Sequence, residues 1–69
     1  MTIDFLRRKY RIKQPAGKNE IMLLQRQASG KYKEIYREDA GRELTAKELR
    51  RRGLELADAV ETLEAEEQS

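Results

Sequence analysis

The sequence predicts a small all-α domain: a helical hairpin of about residues 20–40 and 45–64, preceded by a short N-terminal helix or arm. Three observations predict it. A helix-start signature lies at Thr45–Leu49, an apolar stripe at helical spacing runs from Ile21 to Tyr36, and an apolar seam runs from Leu49 to Leu63. A rival arrangement is α+β, with a β-hairpin at 20–38 followed by the C-terminal helix.

Residues 1–14 interleave Ile3, Phe5, Leu6, Tyr10 and Ile12 with Arg7, Arg8, Lys9, Arg11 and Lys13. As a helix, Ile3, Leu6 and Tyr10 share a face while Phe5 and Ile12 point away. As a strand, Tyr10 and Ile12 alternate with charges, but Phe5 and Leu6 break the alternation. The reading adopted is a short helix near residues 3–12, or an arm ordered on docking. Pro15-Ala16-Gly17-Lys18 is a linker, because Pro15 disfavours a helical residue before it. Gly17-Lys18 is no phosphate loop: the earlier glycine is missing, and Asn19 stands where Ser or Thr would bind magnesium.

Asn19 suits an N-cap for a helix starting at Glu20. On a continuous helix, Ile21, Leu24, Ala28, Tyr32, Ile35 and Tyr36 form one stripe, flanked by Met22, and Leu23 falls off it. Ser29-Gly30 is its weak point. In the rival hairpin, Ala28-Ser29-Gly30 is the turn between Ile21–Gln27 and Lys31–Glu38, with Tyr32 and Tyr36 on one face and Ile35 on the other. The run Met22-Leu23-Leu24-Gln25-Arg26-Gln27 favours helix by propensity and shows no alternation.

The corner at 41–49 collects several signals. Thr45 is an N-cap with Glu48 three residues on, which is a capping box, and Leu44 and Leu49 have the spacing of a hydrophobic staple. Gly41 suits the left-handed residue that closes a preceding helix; alternatively it is a loop glycine after a strand. The last helix, from Ala46 to about Glu64, carries Leu49, Gly53, Leu56, Val60 and Leu63 at steps of four and three, a seam for helix packing or for oligomerisation. Gly53 inside that seam is read either as close approach of another backbone or a tyrosine ring, or as a tolerated glycine that costs about 1 kcal/mol against Ala. Leu54 lies off the seam. Glu64, Glu66 and Glu67 oppose the helix dipole at its negative end, so residues 65–69 are expected to be a disordered acidic tail. The chain thus divides into a basic arm with its linker at 1–18, the helical hairpin at 19–64 and the tail.

Sixty-nine residues bound the chain to one small domain, which buries only about 60% of its unfolded surface. With no Cys and no His, neither a disulfide nor an ordinary zinc site staples it, and no metal or cofactor is expected. The missing His and Cys also remove the usual general base and thiol nucleophile, so the chain is read as non-enzymatic, with no small-molecule substrate. Glu55, Asp58 and Glu61 read as a solvated acidic face. No apolar run has the length of a membrane span and no signal-peptide pattern follows the start, so a soluble, cytoplasmic protein without membrane contact is expected.

Charge carries the functional reading. Residues 1–18 hold six basic groups against Asp4 alone, whereas residues 54–69 hold six acids and no base. Opposite ends of opposite sign favour a protein–protein interaction or regulatory module (adaptor, inhibitor or subunit), whose partner is another protein or a second copy. The alternative is a nucleic-acid-binding regulator. Its contacts would be Arg7, Arg8, Lys9, Arg11 and Lys13, with Tyr10 as a stacking surface, and Lys47, Arg50 and Arg51 early in the last helix, as in a helix-turn-helix.

Overall fold

A computed structural model describes residues 1–68. Four strands and one helix follow in order: β1 (Thr2–Phe5), β2 (Tyr10–Lys13), β3 (Glu20–Arg26), β4 (Tyr32–Asp39) and α1 (Ala46–Gln68). The strands form an antiparallel meander in the order β1-β2-β3-β4, and α1 lies across one face of it, against β1, β2 and β3.

The helical hairpin is therefore corrected: residues 20–40 are strands, the N-terminal segment is neither helix nor arm, and the α+β alternative describes the chain. The reason is visible at Leu23. A helix leaves it off the apolar stripe, yet it is fully buried, as is Ile21 two residues before it. The step of two is a strand period. Alternation was masked because Met22 and Leu24, on the opposite face, are also apolar and half-buried. In the N-terminal segment Phe5 ends β1, and Leu6, which broke the strand pattern, belongs to the turn and is 46% exposed. Phe5, Tyr10 and Ile12 then share the helix-facing side.

The pairing of β3 with β4 is irregular at one point. Leu23 pairs with Tyr36 but Leu24 pairs with Glu34, so Ile35 is an extra residue, a β-bulge, in β4. The bulge shifts the phase of side-chain alternation. Ile35 packs against the core and Tyr36 lies opposite buried Leu23, so both sit on the helix side. Tyr32 lies on the open face, under the Arg11 guanidinium; the tyrosines do not share a face.

The corner at residues 41–49 keeps its capping box. The Thr45 N–H donates to Glu48 Oε1 at 3.0 Å, and the Glu48 N–H donates to Thr45 Oγ1 at 3.2 Å. Leu44 packs against the cluster containing Leu49. What precedes the corner is a strand, so Gly41, at φ 80°, serves a turn rather than a helix end; its N–H donates to Asp39 Oδ1 at 2.7 Å. The turn is fastened by Gln14, 4% exposed. Gln14 Nε2 donates to the Arg42 carbonyl at 2.9 Å, and Gln14 Oε1 accepts from the Leu44 N–H at 2.8 Å.

The seam of α1 is used within the chain. Leu49, Gly53, Leu56 and Ala57 are buried against the sheet, Val60 is half-buried, and Leu63 is 59% exposed. Leu54 packs against the core too. The helix passes its expected end near Glu64 and continues to Gln68. Its 23 residues rise about 35 Å at 1.5 Å each. The longest strand, with 8 residues, spans about 27 Å, so the acidic end of α1 outruns the sheet. Ser69, the last residue of the expected tail, lies outside the described residues.

Candidate functional site

The β1–β2 connection is a tight turn, closed by the Lys9 N–H donating to the Leu6 carbonyl at 3.0 Å. Leu6, Arg7 and Arg8 all take positive φ, at 51°, 55° and 65°. None is Gly, Asn or Asp, and the left-handed region costs an ordinary L-residue about 1–2 kcal/mol. Neighbouring strands hold the turn in this shape. Tyr32 Oη donates to the Arg8 carbonyl at 2.7 Å, and the Arg26 N–H donates to the Lys9 carbonyl at 2.9 Å. The strained turn projects two arginines beyond the end of the sheet.

The β3–β4 loop brings Arg26 and Lys31 to the same end. Both are exposed, as are Arg7 and Arg8, and none of the four forms a salt bridge among the described residues. Lys9 is different: its Nζ meets Glu61 of α1 at 3.4 Å and lies 5.5 Å from the Tyr10 ring centroid. Gln25 Nε2 donates to Glu64 Oε1 at 3.5 Å. The acidic end of α1 thus lies beside the basic tip, on the helix side of the sheet.

The open face alternates in sign. Arg11 Nε donates to Asp4 Oδ1 at 2.6 Å, and its guanidinium stacks 4.0 Å from the Tyr32 centroid. That hydrogen bond holds the Asp4 carboxyl below its ordinary pKa. Arg37 bonds Glu34 at 2.7 Å and Glu20 at 3.5 Å. Lys13 and the half-buried Met22 and Leu24 lie on the same face.

Of the basic contacts read from the sequence, the structure gathers Arg7, Arg8 and Lys9 at the tip and puts Arg11 and Lys13 on the open face. Tyr10 is no stacking surface: it is fully buried and stacks on Phe5, with ring centroids 5.8 Å apart. Burial raises its phenol pKa. Lys47, Arg50 and Arg51 are exposed on the first turns of α1, at the opposite end of the sheet from the tip, and among the described residues no second helix makes a helix-turn-helix with it. Sequence reasoning missed Arg26, Lys31 and Tyr32 as companions of the tip. Only the hairpin reading of residues 20–38 returns them to the level of Arg8.

Among the described residues, no group of three or more His, Cys, Asp or Glu side chains is arranged to hold a metal ion, and no helix is long and apolar enough to cross a membrane. By architecture the chain is a four-stranded antiparallel meander with one helix across one face. No protein-family profile, no curated protein and no solved structure matches it.

Proposed function

We propose that this chain is a small, non-enzymatic, cytoplasmic interaction module that docks an acidic protein surface at the basic end of its sheet. The observation that carries the reading is the turn Leu6-Arg7-Arg8, in which strain is held in place by Tyr32 and two exposed arginines are presented, neither in a salt bridge among the described residues. Strain of this kind concentrates where a local shape is needed for contact. The absence of His and Cys supports a role without catalysis, and a chain without Cys suits a reducing compartment.

A protein is the favoured partner because of what flanks the tip. Glu61 and Glu64 line its helix side, and Asp4, Glu20 and Glu34 punctuate the open face. A polyphosphate would meet these acids as repulsion, whereas a protein surface of mixed sign would pair with them. Nucleic acid is the second reading, supported by the exposed cations Arg7, Arg8, Arg26 and Lys31.

The test titrates the full chain with a glutamate-rich copolymer of glutamate and lysine, and separately with duplex and single-stranded DNA, at low and moderate salt. The expected result is salt-sensitive binding of the acidic polypeptide that Arg7→Glu/Arg8→Glu abolishes. Tighter binding of DNA selects the second reading, with a slope of log K on log salt of about 0.7–0.9 per neutralised phosphate. Failure of both ligands to bind at low salt, or binding indifferent to the double reversal, overturns the proposal.

A further inference from the structure

We infer that β4 is a two-fold interface, where the edge strand of one copy pairs antiparallel with β4 of a second copy and joins two sheets into one. The inference does not rest on the anionic partner proposed above. β4 is an edge strand of 8 residues at the margin of the helix footprint. An open groove, lined by Glu38, Ala40, Leu44, Arg51, Arg52 and Glu55, runs between its end and the start of α1. Tyr36 remains 43% exposed although it lies opposite a fully buried leucine.

The backbone directions can be read from both ends of the strand. The Ala40 N–H donates to the Asn19 carbonyl at 2.8 Å, and the Gln27 N–H donates to the Lys31 carbonyl at 2.7 Å. In an antiparallel ladder, hydrogen-bonded and non-bonded pairs alternate. With the bulge between them, this alternation turns the backbone groups of Tyr32, Glu34, Arg37 and Asp39 away from β3. These are the groups a further strand would meet.

The side chains then select a register. Directly opposed residues must share a face, and in a regular strand only residues an even number apart do so. The bulge changes this: Lys33 and Glu38 both lie on the helix side, and Glu34 and Arg37 both lie on the open face. A two-fold axis between Ile35 and Tyr36 opposes Tyr32 to Asp39 of the second copy, Lys33 to Glu38, Glu34 to Arg37, and Ile35 to Tyr36. Every charged pair is of opposite sign, apart from Tyr32–Asp39, where one member is neutral. Exposed Tyr36 meets an isoleucine at the axis. The outward backbone groups fall in the same register, Tyr32 against Asp39 and Glu34 against Arg37. Both copies carry the extra residue at the axis, so the ladder resumes in step on either side.

Charged edges ordinarily guard a sheet against pairing. Here they still refuse axes centred on Lys33, Arg37 or Glu38, each of which sets like charges face to face.

The experiment is sedimentation equilibrium of the full chain over a range of concentrations, with Glu34→Lys, Arg37→Glu and an equimolar mixture of the two. Wild type should shift from monomer to dimer as concentration rises. Each single reversal should weaken the dimer about tenfold or more, since two symmetry-related pairs turn from attraction to repulsion. The mixture should restore it, because the new lysine faces the new glutamate. In the wild type, amide exchange at Tyr32, Glu34, Arg37 and Asp39 should slow with concentration, a readout that needs no variant. A wild-type monomer at all concentrations, or a dimer indifferent to both reversals, overturns the inference.

Discussion

The ring of Phe5 occupies the space that a β-carbon at Gly53 would need. A Cβ built there lies 3.0 and 3.1 Å from two ring carbons of Phe5 and 3.1 Å from Ile12 Cβ. The glycine lets α1 settle directly on β1 and β2, and the approaching group is a phenylalanine ring rather than a tyrosine. Gly53→Ala gains about 1 kcal/mol of helix propensity but overpacks a site where Ile12 Cβ is fixed to a central strand, at about 1–3 kcal/mol. The expected net effect is a loss of about 1 kcal/mol in a urea melt. Phe5→Leu should cost less in the Gly53→Ala background than alone, because it vacates the contested space. A stabilised Gly53→Ala variant would show that the helix shifts without penalty.

Gln14 joins the end of β2 to the turn before α1 by two hydrogen bonds, at 2.9 and 2.8 Å. Gln14→Leu keeps the volume and leaves the Arg42 carbonyl and the Leu44 N–H without that partner. Such orphaned groups cost about 1–3 kcal/mol each when buried; with the turn half-exposed, a loss of about 2 kcal/mol is expected in the urea melt. The amides of residues 42–45 should exchange faster than those of β3. An unchanged melt would mean that water replaces the glutamine at no cost.

The corner was legible because its signals are local: a cap, a box and a staple within a few residues need no knowledge of the rest of the chain. The helix that follows was legible for the same reason, since Leu49, Gly53 and Leu56 repeat on one face. The sheet was not, because its logic lies between segments. β3 is written in helix-favouring residues, and only pairing on both sides makes it a central strand. In β4 the extra Ile35 breaks the alternation that would have announced a strand. The site suffered similarly: Arg7 and Arg8 stand out in the sequence, but Arg26, Lys31 and Tyr32 join them only through the meander. Tyr10 sits among basic residues in the sequence but alternates into the core.

Acid should weaken the fold in a defined window. The Arg42 guanidinium, and then the Thr45 N–H, hold Glu48 down to about 2 from an ordinary 4.5. Arg52, which bonds both Glu38 oxygens at 2.8 Å, lowers Glu38 as well. A depressed carboxylate contributes stability that is present above its unfolded pKa and lost as pH falls through the folded value. The urea midpoint should therefore fall between about pH 4.5 and 2, where the unfolded chain binds more protons. Glu48→Gln should make the decline shallower. A midpoint that stays flat across that window would show that neither pair is formed in solution.

The turn Leu6-Arg7-Arg8-Lys9 separates stability from binding in one variant. Its central residues, Arg7 and Arg8, are both left-handed, the conformation a type I′ turn requires and for which Asn-Gly is the favoured pair. Arg7→Asn/Arg8→Gly should therefore relieve strain and stabilise the fold by about 1–2 kcal/mol, allowing for the flexibility that glycine adds to the unfolded chain. The same change removes both exposed guanidinium groups and should abolish the salt-sensitive binding of the glutamate-rich copolymer. A less stable variant would mean that the left-handed turn is not strained. A stabilised variant that binds as tightly as the parent would remove the arginines from the interface and leave the proposed docking end without its main contacts.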